Sequence, residues 1–311
     1  LATVAILAFF TNVVVSQSKG GLDIKDLQNY WAEQYNQMKP KDVTFNILQS
    51  ELKAKAEPDG CYFGIGDPQN YFDPTGIDCD QCNNLGGIPK TNQAYVWGLT
   101  KQSDKLFFGT GPNIHCLVLG TYLGLTSPIE TDCWTCEFGE SQFVPPVPPE
   151  IGDWRPPRLY TYNTVSGEKT DVTPPDLSLS TTMGIRSAGS HDGVVLLGGP
   201  SFSGGINMYA FNSSTDEFIG STSLLVVPGT ATGITNIRKW VVIDGYLYLG
   251  LGTVDGGSIL KWTGSLADPF QFELVGNIDG QAAELAEHDG KLFVSTWPGL
   301  AGKVNTVAGL W

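Results

Sequence analysis

From residue 93 onward the chain runs in short segments that alternate apolar and polar positions, separated by Gly, Asp, Asn and Ser. A period of two is the pattern of a half-buried strand. Three segments align with one another: HDGVVLLGG at 191–199, IDGYLYLGLG at 243–252 and HDGKLFVSTW at 288–297. A fourth, SDKLFFGTG, begins at Ser103. Asp-Gly is the preferred pair for a two-residue hairpin, because both central residues must take positive φ. Asp192 and Asp244 are 52 residues apart and Asp244 and Asp289 are 45, the period of a propeller blade. Gly204-Gly205 and Gly256-Gly257 each lead a further strand ending in an aromatic, Tyr209 and Trp262, and a fourth strand follows at Glu217–Ser223 and Gln271–Val275. The pattern predicts an all-β fold, a β-propeller of four-stranded blades. The blades fall at about 93–175, 180–225, 230–277 and 280–311. In the first, strands are expected at Ala94–Leu99, Lys105–Gly109, Ile114–Leu119, Arg158–Tyr162 and Lys169–Val172, with an irregular insertion at about 120–157. Four blades, the last ending inside its third strand at Trp311, hardly close a ring, so more sequence is expected beyond that residue.

The residues before the blades read differently. Ile24, Leu27, Trp31, Tyr35 and Met38 recur at helical spacing, and Pro40 ends that segment. A second helix is expected over Val43–Ala56, stopped by Pro58. These form a helical cap, followed by a Cys- and Asp-rich loop, over 17–92. Leu1–Val15 is an apolar run too short to cross a bilayer comfortably. It reads as the apolar part of a signal peptide, 1–16, whose start is missing, with the mature chain opening near Gln17.

Composition narrows the class. Charged residues are only 16% of the chain, and there are 38 glycines. The net charge is −14, which repels phosphate backbones and anionic bilayers, so neither nucleic acid nor a membrane surface is an expected partner. All six cysteines, Cys61, Cys79, Cys82, Cys116, Cys133 and Cys136, lie in the first half. An even count in an exported chain predicts disulfides, with pairing open among 15 arrangements. Asn212-Ser213-Ser214 is a glycosylation sequon in a predicted turn.

The unit DGVVLLGG–PSFSGG–INMYAF–NSSTDEF resembles a kelch repeat, with Leu196-Leu197-Gly198-Gly199 and Tyr209 in place and Phe218 where that family has Trp. The resemblance covers about 180–311 and implies the propeller fold. It also implies that arginines near the start of the innermost strand reach the binding face.

No catalytic set emerges. Cys79-Asp-Gln-Cys82 and Cys133-Trp-Thr-Cys136 have zinc-ligand spacing, but export favours oxidation. Asp67, Asp73, Asp78 and Asp80 share one Gly-containing loop and are candidate oxygen ligands for Ca²⁺, the one cofactor considered. Asp also favours turns by bonding its own backbone. His191 and His288 precede matching turns and follow from the repeat; His115 stands alone. Arg186 and Arg238 each lie six residues before a turn Asp, on innermost strands, where first-blade Gly98 and last-blade Ala283 are counted as equivalents. Two guanidinium forks in register suit a carboxylate or phosphate. Among the tryptophans, Trp97, Trp134, Trp154, Trp240 and Trp262 are candidates to stack on sugars, with Trp134 and Trp154 preferred because they sit in the insertion. The expected function is a secreted binding module for an extracellular protein or glycan, with Arg186, Arg238, Trp134 and Trp154 as its surface. Two alternatives stand beside it: a carbohydrate-active or oxidoreductase propeller, using acids such as Glu137, Glu140 or Glu284, and a structural surface component.

Overall fold

The computed structural model describes residues 51–63, 67, 69–73, 75–93, 95–114, 154–297 and 308–311, with the backbone of 129–130 and 135–136. The elements below belong to the compact unit Leu52–Trp311. The expected signal peptide, the 17–50 part of the helical cap, Trp134, Cys116 and Cys133 lie outside the described residues. Residues 51–58 carry no helix, so the second expected helix does not reach Ala56. Leu52 is 79% exposed. An amphipathic stretch that buries no apolar face gains too little to offset helix nucleation.

The chain first forms a small sheet of β1 (Gly60–Tyr62), β2 (Tyr71–Phe72) and β3 (Ile88–Lys90), in the order β2-β1-β3, with a short helix α1 (Cys79–Asn84) between β2 and β3. This order appears where the sequence reads as a loop. It is held by a disulfide between Cys61 of β1 and Cys82 of α1.

The blades follow. Blade A comprises β4 (Tyr95–Gln102), β5 (Lys105–Gly111), β8 (Leu159–Asn163) and β9 (Lys169–Asp171). A two-stranded ribbon, β6 (Ile129–Glu130) and β7 (Thr135–Cys136), lies within the β5–β8 connection. Blade B is β10 (Ser187–His191), β11 (Val194–Pro200), β12 (Ile206–Asn212) and β13 (Phe218–Leu224). Blade C is β14 (Ile234–Ile243), β15 (Tyr246–Thr253), β16 (Gly256–Trp262) and β17 (Phe272–Ile278). Blade D has β18 (Gln281–His288) and β19 (Lys291–Trp297), and residues 309–311 pair antiparallel with β19. First strands lie side by side in the order β4, β10, β14, β18. This is a β-propeller of four-stranded blades. Among the described residues no helix is long and apolar enough to cross a membrane.

The hairpin turns are those the sequence predicts. Asp192, Asp244 and Asp289 have φ of 44°, 49° and 50°, and the Gly after each is also positive. Ser103 takes this role in blade A, with φ 51°. Ile114 is not in a strand: Asn113 turns with φ 48° and its N–H donates to the Asn92 carbonyl. The third strand of blade A is therefore β8, reached after the insertion.

The apolar core lies between blades. In β11 every residue is buried, with Val194 and Leu196 packed toward blade C and Val195 and Leu197 toward blade A. Burial on both faces explains why this strand reads as a continuous apolar run. Fully burying each such side chain stabilises by about 1.5–3 kcal/mol. Glycines on the second strands make the close approach possible. A Cβ at Gly109, Gly198 or Gly250 would meet Ile185, Ile237 or Leu285 of the next blade.

Candidate functional site

Each inner strand begins near the axis end from which the β5–β8 connection departs. In blades A, C and D the strand is irregular there, skipping a register step at Val96/Gly98, Ile237/Trp240 and Ala282/Glu284. A bulge of this kind re-aims a side chain out of the ladder. Counting six residues back from the first residue of each hairpin turn gives Trp97, Arg186, Arg238 and Ala283. The equivalent in blade A is thus Trp97 and not Gly98, because Ser103, rather than Asp104, occupies the turn position of Asp192.

The two arginines meet two indoles. The Arg186 guanidinium lies 5.1 Å from the ring centre of Trp97 and 5.7 Å from that of Trp297; Arg238 lies 3.7 Å from the ring centre of Trp297. Trp297 closes β19, opposite Gln281 at the start of β18. One member therefore comes from each blade: Trp97 from A, Arg186 from the lead into B, Arg238 from C and Trp297 from D. All four are half-buried. Arg186 Nη1 donates to Asn236 Oδ1 at 2.6 Å, and that oxygen also accepts the Ile237 N–H at 2.9 Å. Trp97 is seated edge-on against Tyr95 at 6.2 Å, and a Cβ at Gly111 or Gly184 would strike its ring. A guanidinium beside an indole face is held by the ring's negative quadrupole and keeps its planar set of N–H donors. Two such forks suit a carboxylate.

The other expected residues are placed elsewhere. Trp154 is not at the surface: it is 1% exposed, its Nε1–H donates to the Met183 carbonyl at 3.2 Å, and it meets Phe202 edge-on at 5.1 Å. An indole that can satisfy its N–H inside the fold gains more from burial than from exposure. Trp240 and Trp262 are likewise buried, packing between blades B and C. His191 and His288 each sit beside the Asp of their own turn, at 3.4 and 3.5 Å. Of Glu137, Glu140 and Glu284 only Glu284 is described, 3.0 Å from Lys239.

The four candidate Ca²⁺ ligands turn to their own backbone. Asp67 Oδ1 accepts the Gln69 N–H at 2.8 Å, and Asp73 Oδ1 accepts the N–H and hydroxyl of Thr75. These two bonds from Thr75 hold the Asp73 carboxyl below its ordinary value. Asp78 caps α1 through the N–H groups of Asp80 and Gln81, and Asp80 sits in the first turn. Among the described residues no three His, Cys, Asp or Glu side chains gather as a metal would require. Cys79, half-exposed, carries a free thiol, so the Cys79–Cys82 pair is not bridged internally, and Cys82 is removed from any thiolate set by its bond to Cys61. Asn212 opens an exposed turn, its Oδ1 accepting the Ser214 N–H at 2.9 Å.

No protein-family model matches the chain, and no curated protein matches it. The likeness to kelch repeats finds no support in these comparisons. Three solved structures are similar in outline. The computationally designed Ika4 protein aligns with TM-score 0.34 and 12% identity over 70% of this chain and 91% of its own. An α-L-arabinofuranosidase from Clostridium thermocellum aligns with TM-score 0.37 and 12% identity over 72% and 68%. An exo-β-1,3-galactanase from Phanerochaete chrysosporium, crystallised with β-1,3-galactotriose, aligns with TM-score 0.39 and 10% identity over 80% of this chain. The alignment spans about half of the galactanase chain, 49%. Likenesses this distant carry no argument about chemistry.

Proposed function

We propose that the protein is an exported binding propeller whose ligand is an acidic glycan, docked by its carboxylate at the inner strand ends. The observation that carries this reading is the convergence of Arg186 and Arg238 with Trp97 and Trp297, one from each of four blades. Indole rings offer apolar faces to sugar C–H groups, and the guanidinium forks offer paired donors to a carboxylate. The net charge of −14 disfavours long polyanions. A short acidic glycan, whose carboxylates are few in all and set among hydroxyls, meets both conditions. Export is supported by the Cys61–Cys82 disulfide and by the apolar run Leu1–Val15.

The test is a glycan array followed by calorimetry with wild type, Arg186→Lys and Arg238→Lys. Lysine keeps the charge and loses the planar fork. Acidic glycans are expected to bind in preference to their neutral counterparts, with about tenfold weaker affinity in each variant, or about 1.4 kcal/mol. Equal binding of acidic and neutral glycans, or folded variants that bind as wild type does, would refute the reading.

A further inference from the structure

Toward the turn ends of the inner strands, blades A, B and C line an open groove of about 710 Å³. Its walls include Leu99 and Lys101 of β4, Ser190 and His191 of β10, and Lys239 and Val242 of β14. Leu99 and Val242 are 55% and 45% exposed and give the groove apolar surface. The wall also carries hydroxyls: Thr100 Oγ1 and Ser190 Oγ share a hydrogen bond of 3.1 Å, and Ser190 Oγ donates to the Lys101 carbonyl. Apolar patches beside hydroxyls and ammonium groups match an acidic sugar chain, which presents C–H faces, hydroxyls and carboxylates in alternation.

We infer that this groove is a second subsite, and that the ligand is an acidic oligosaccharide laid along the inner strands with carboxylates at both ends. The inference rests on the binding reading above and extends it from a single docking point to a path. Lys101 lies four residues beyond Trp97 on β4, about 13 Å along the strand at roughly 3.3 Å per residue. That spacing puts Lys101 toward the turn end of the strand and Trp97, with Arg186 beside it, toward its start, so a ligand extended along the strand would meet both. A groove of this volume falls within the roughly 300–1,000 Å³ of ligand pockets and is far larger than a lone anion needs. Asp192, beside His191, faces it as well, and the lining Lys239 is paired to Glu284 at 3.0 Å. Lys101, exposed on β4, is therefore the cation expected to meet the distal carboxylate, and Lys239 is the one that must exchange Glu284 for the ligand.

The experiment measures affinity for galacturonic acid oligomers of one to four residues, for neutral galactose oligomers of the same lengths, and for sulfated ones. The proteins are wild type, Lys101→Glu and Arg186→Lys. The expected result is affinity that rises with length for the carboxylated series alone. Lys101→Glu should remove that rise, by at least about fivefold on the longest oligomer, and leave the monomer unaffected. Arg186→Lys should weaken every length. If the monomer binds as tightly as the tetramer, or Lys101→Glu leaves the tetramer unchanged, the second subsite is wrong while the arginine end stands. If the neutral or sulfated series shows the same rise, the ligand class is wrong. If Arg186→Lys changes nothing at any length, the docking reading itself fails.

Discussion

Arg186→Ala should destabilise the propeller well beyond an ordinary half-buried substitution. The guanidinium lies 5.1 and 5.7 Å from the ring centres of Trp97 and Trp297, and Nη1 donates to Asn236 at 2.6 Å. Each cation–π contact in a half-desolvated setting is worth about 1 kcal/mol. A hydrogen bond from a charged donor adds about 1.5 kcal/mol. Together they come to about 3–4 kcal/mol, and Asn236, 8% exposed, is left short of a donor. For a body of this size about 1 kcal/mol moves the midpoint by roughly 2–4 °C, so a fall of about 6–16 °C is expected. The assay is urea unfolding, with thermal scans beside it, on wild type, Arg186→Ala, Trp297→Leu and the double variant. Trp297 lies on the last blade, so a coupling of about 1 kcal/mol between it and Arg186 would show that the cluster joins blades B and D. A loss under about 0.5 kcal/mol for Arg186→Ala, as for a plain surface site, would refute the reasoning and make the cluster a passive juxtaposition.

Three further predictions follow from single features. Burial pushes the Tyr209 phenol up to about 12, against its hydrogen bonds with Ser178 and Thr182. A raised phenol favours the fold below its ordinary value of 10.0 and loses that advantage as pH rises toward the folded value. Ultraviolet titration should therefore show late tyrosine ionisation that shrinks in Tyr209→Phe, the remainder belonging to Tyr160, whose phenol burial also raises. Gly189→Ala would drive a Cβ into the Trp240 ring between blades B and C. Overpacking of this sort costs about 1–3 kcal/mol, read as a lower urea midpoint, whereas Gly276→Ala, whose Cβ would meet open space, should not destabilise through overpacking. Replacing Cys61 and Cys82 together by Ser removes a link of sequence separation 21. That loop length corresponds to about 3 kcal/mol, and an unchanged midpoint would contradict it.

The blade skeleton was legible because its signals are local. Asp-Gly sets the hairpin at Asp192, Asp244 and Asp289 through its own φ angles, and alternation sets the strands. The arginines were legible for the same reason, since they sit at a fixed offset from those turns. Trp97 stood among the candidate stacking rings, but its equivalence to the arginine positions was hidden by one residue: the offset holds from Ser103, and the observed positive φ there identifies Ser103 as the counterpart of Asp192. Had the hairpin pairing of Gln102 with Lys105 been used as the ruler, Trp97 would have emerged beside Arg186. Trp297 carries no such offset, because it comes from the end of a second strand and reaches the axis only through blade D's register. Trp154 misled because an insertion is usually surface, and nothing nearby in sequence announces that Met183 and Phe202 will receive the ring. The Cys61–Cys82 pairing depends on a helix and sheet packing that periodicity cannot show over stretches of three to six residues.

Asp59 offers a test of how the segment before blade A is held. It is 5% exposed, and its Oδ1 accepts the Asn92 backbone N–H at 2.7 Å and side-chain Nδ2–H at 3.1 Å. Its Oδ2 is buried with no hydrogen-bond partner among the described residues. Burial therefore raises this carboxyl above its ordinary 3.8, outweighing the Asn92 bonds and the field of Arg155. The folded state then holds the proton more tightly than the unfolded chain does. Stability from this group is present below the unfolded value and falls as pH climbs through the folded one. Asp176 works in the opposite direction. Burial raises it, but bonds from Ser178 and Ser221 prevail and lower it, so its contribution is lost as pH falls below 3.8. The protein's general acidity also affects both limbs. Comparing wild type with Asp59→Asn at each pH isolates the one site, since the variant keeps the Oδ1 acceptor and the shape but cannot ionise. The variant should gain on wild type as pH rises from 3 to 7, measured as the difference in urea midpoints. A difference that stays flat, or moves toward wild type on alkalinisation, would mean that Oδ2 finds a donor and that the carboxylate is comfortable where it lies.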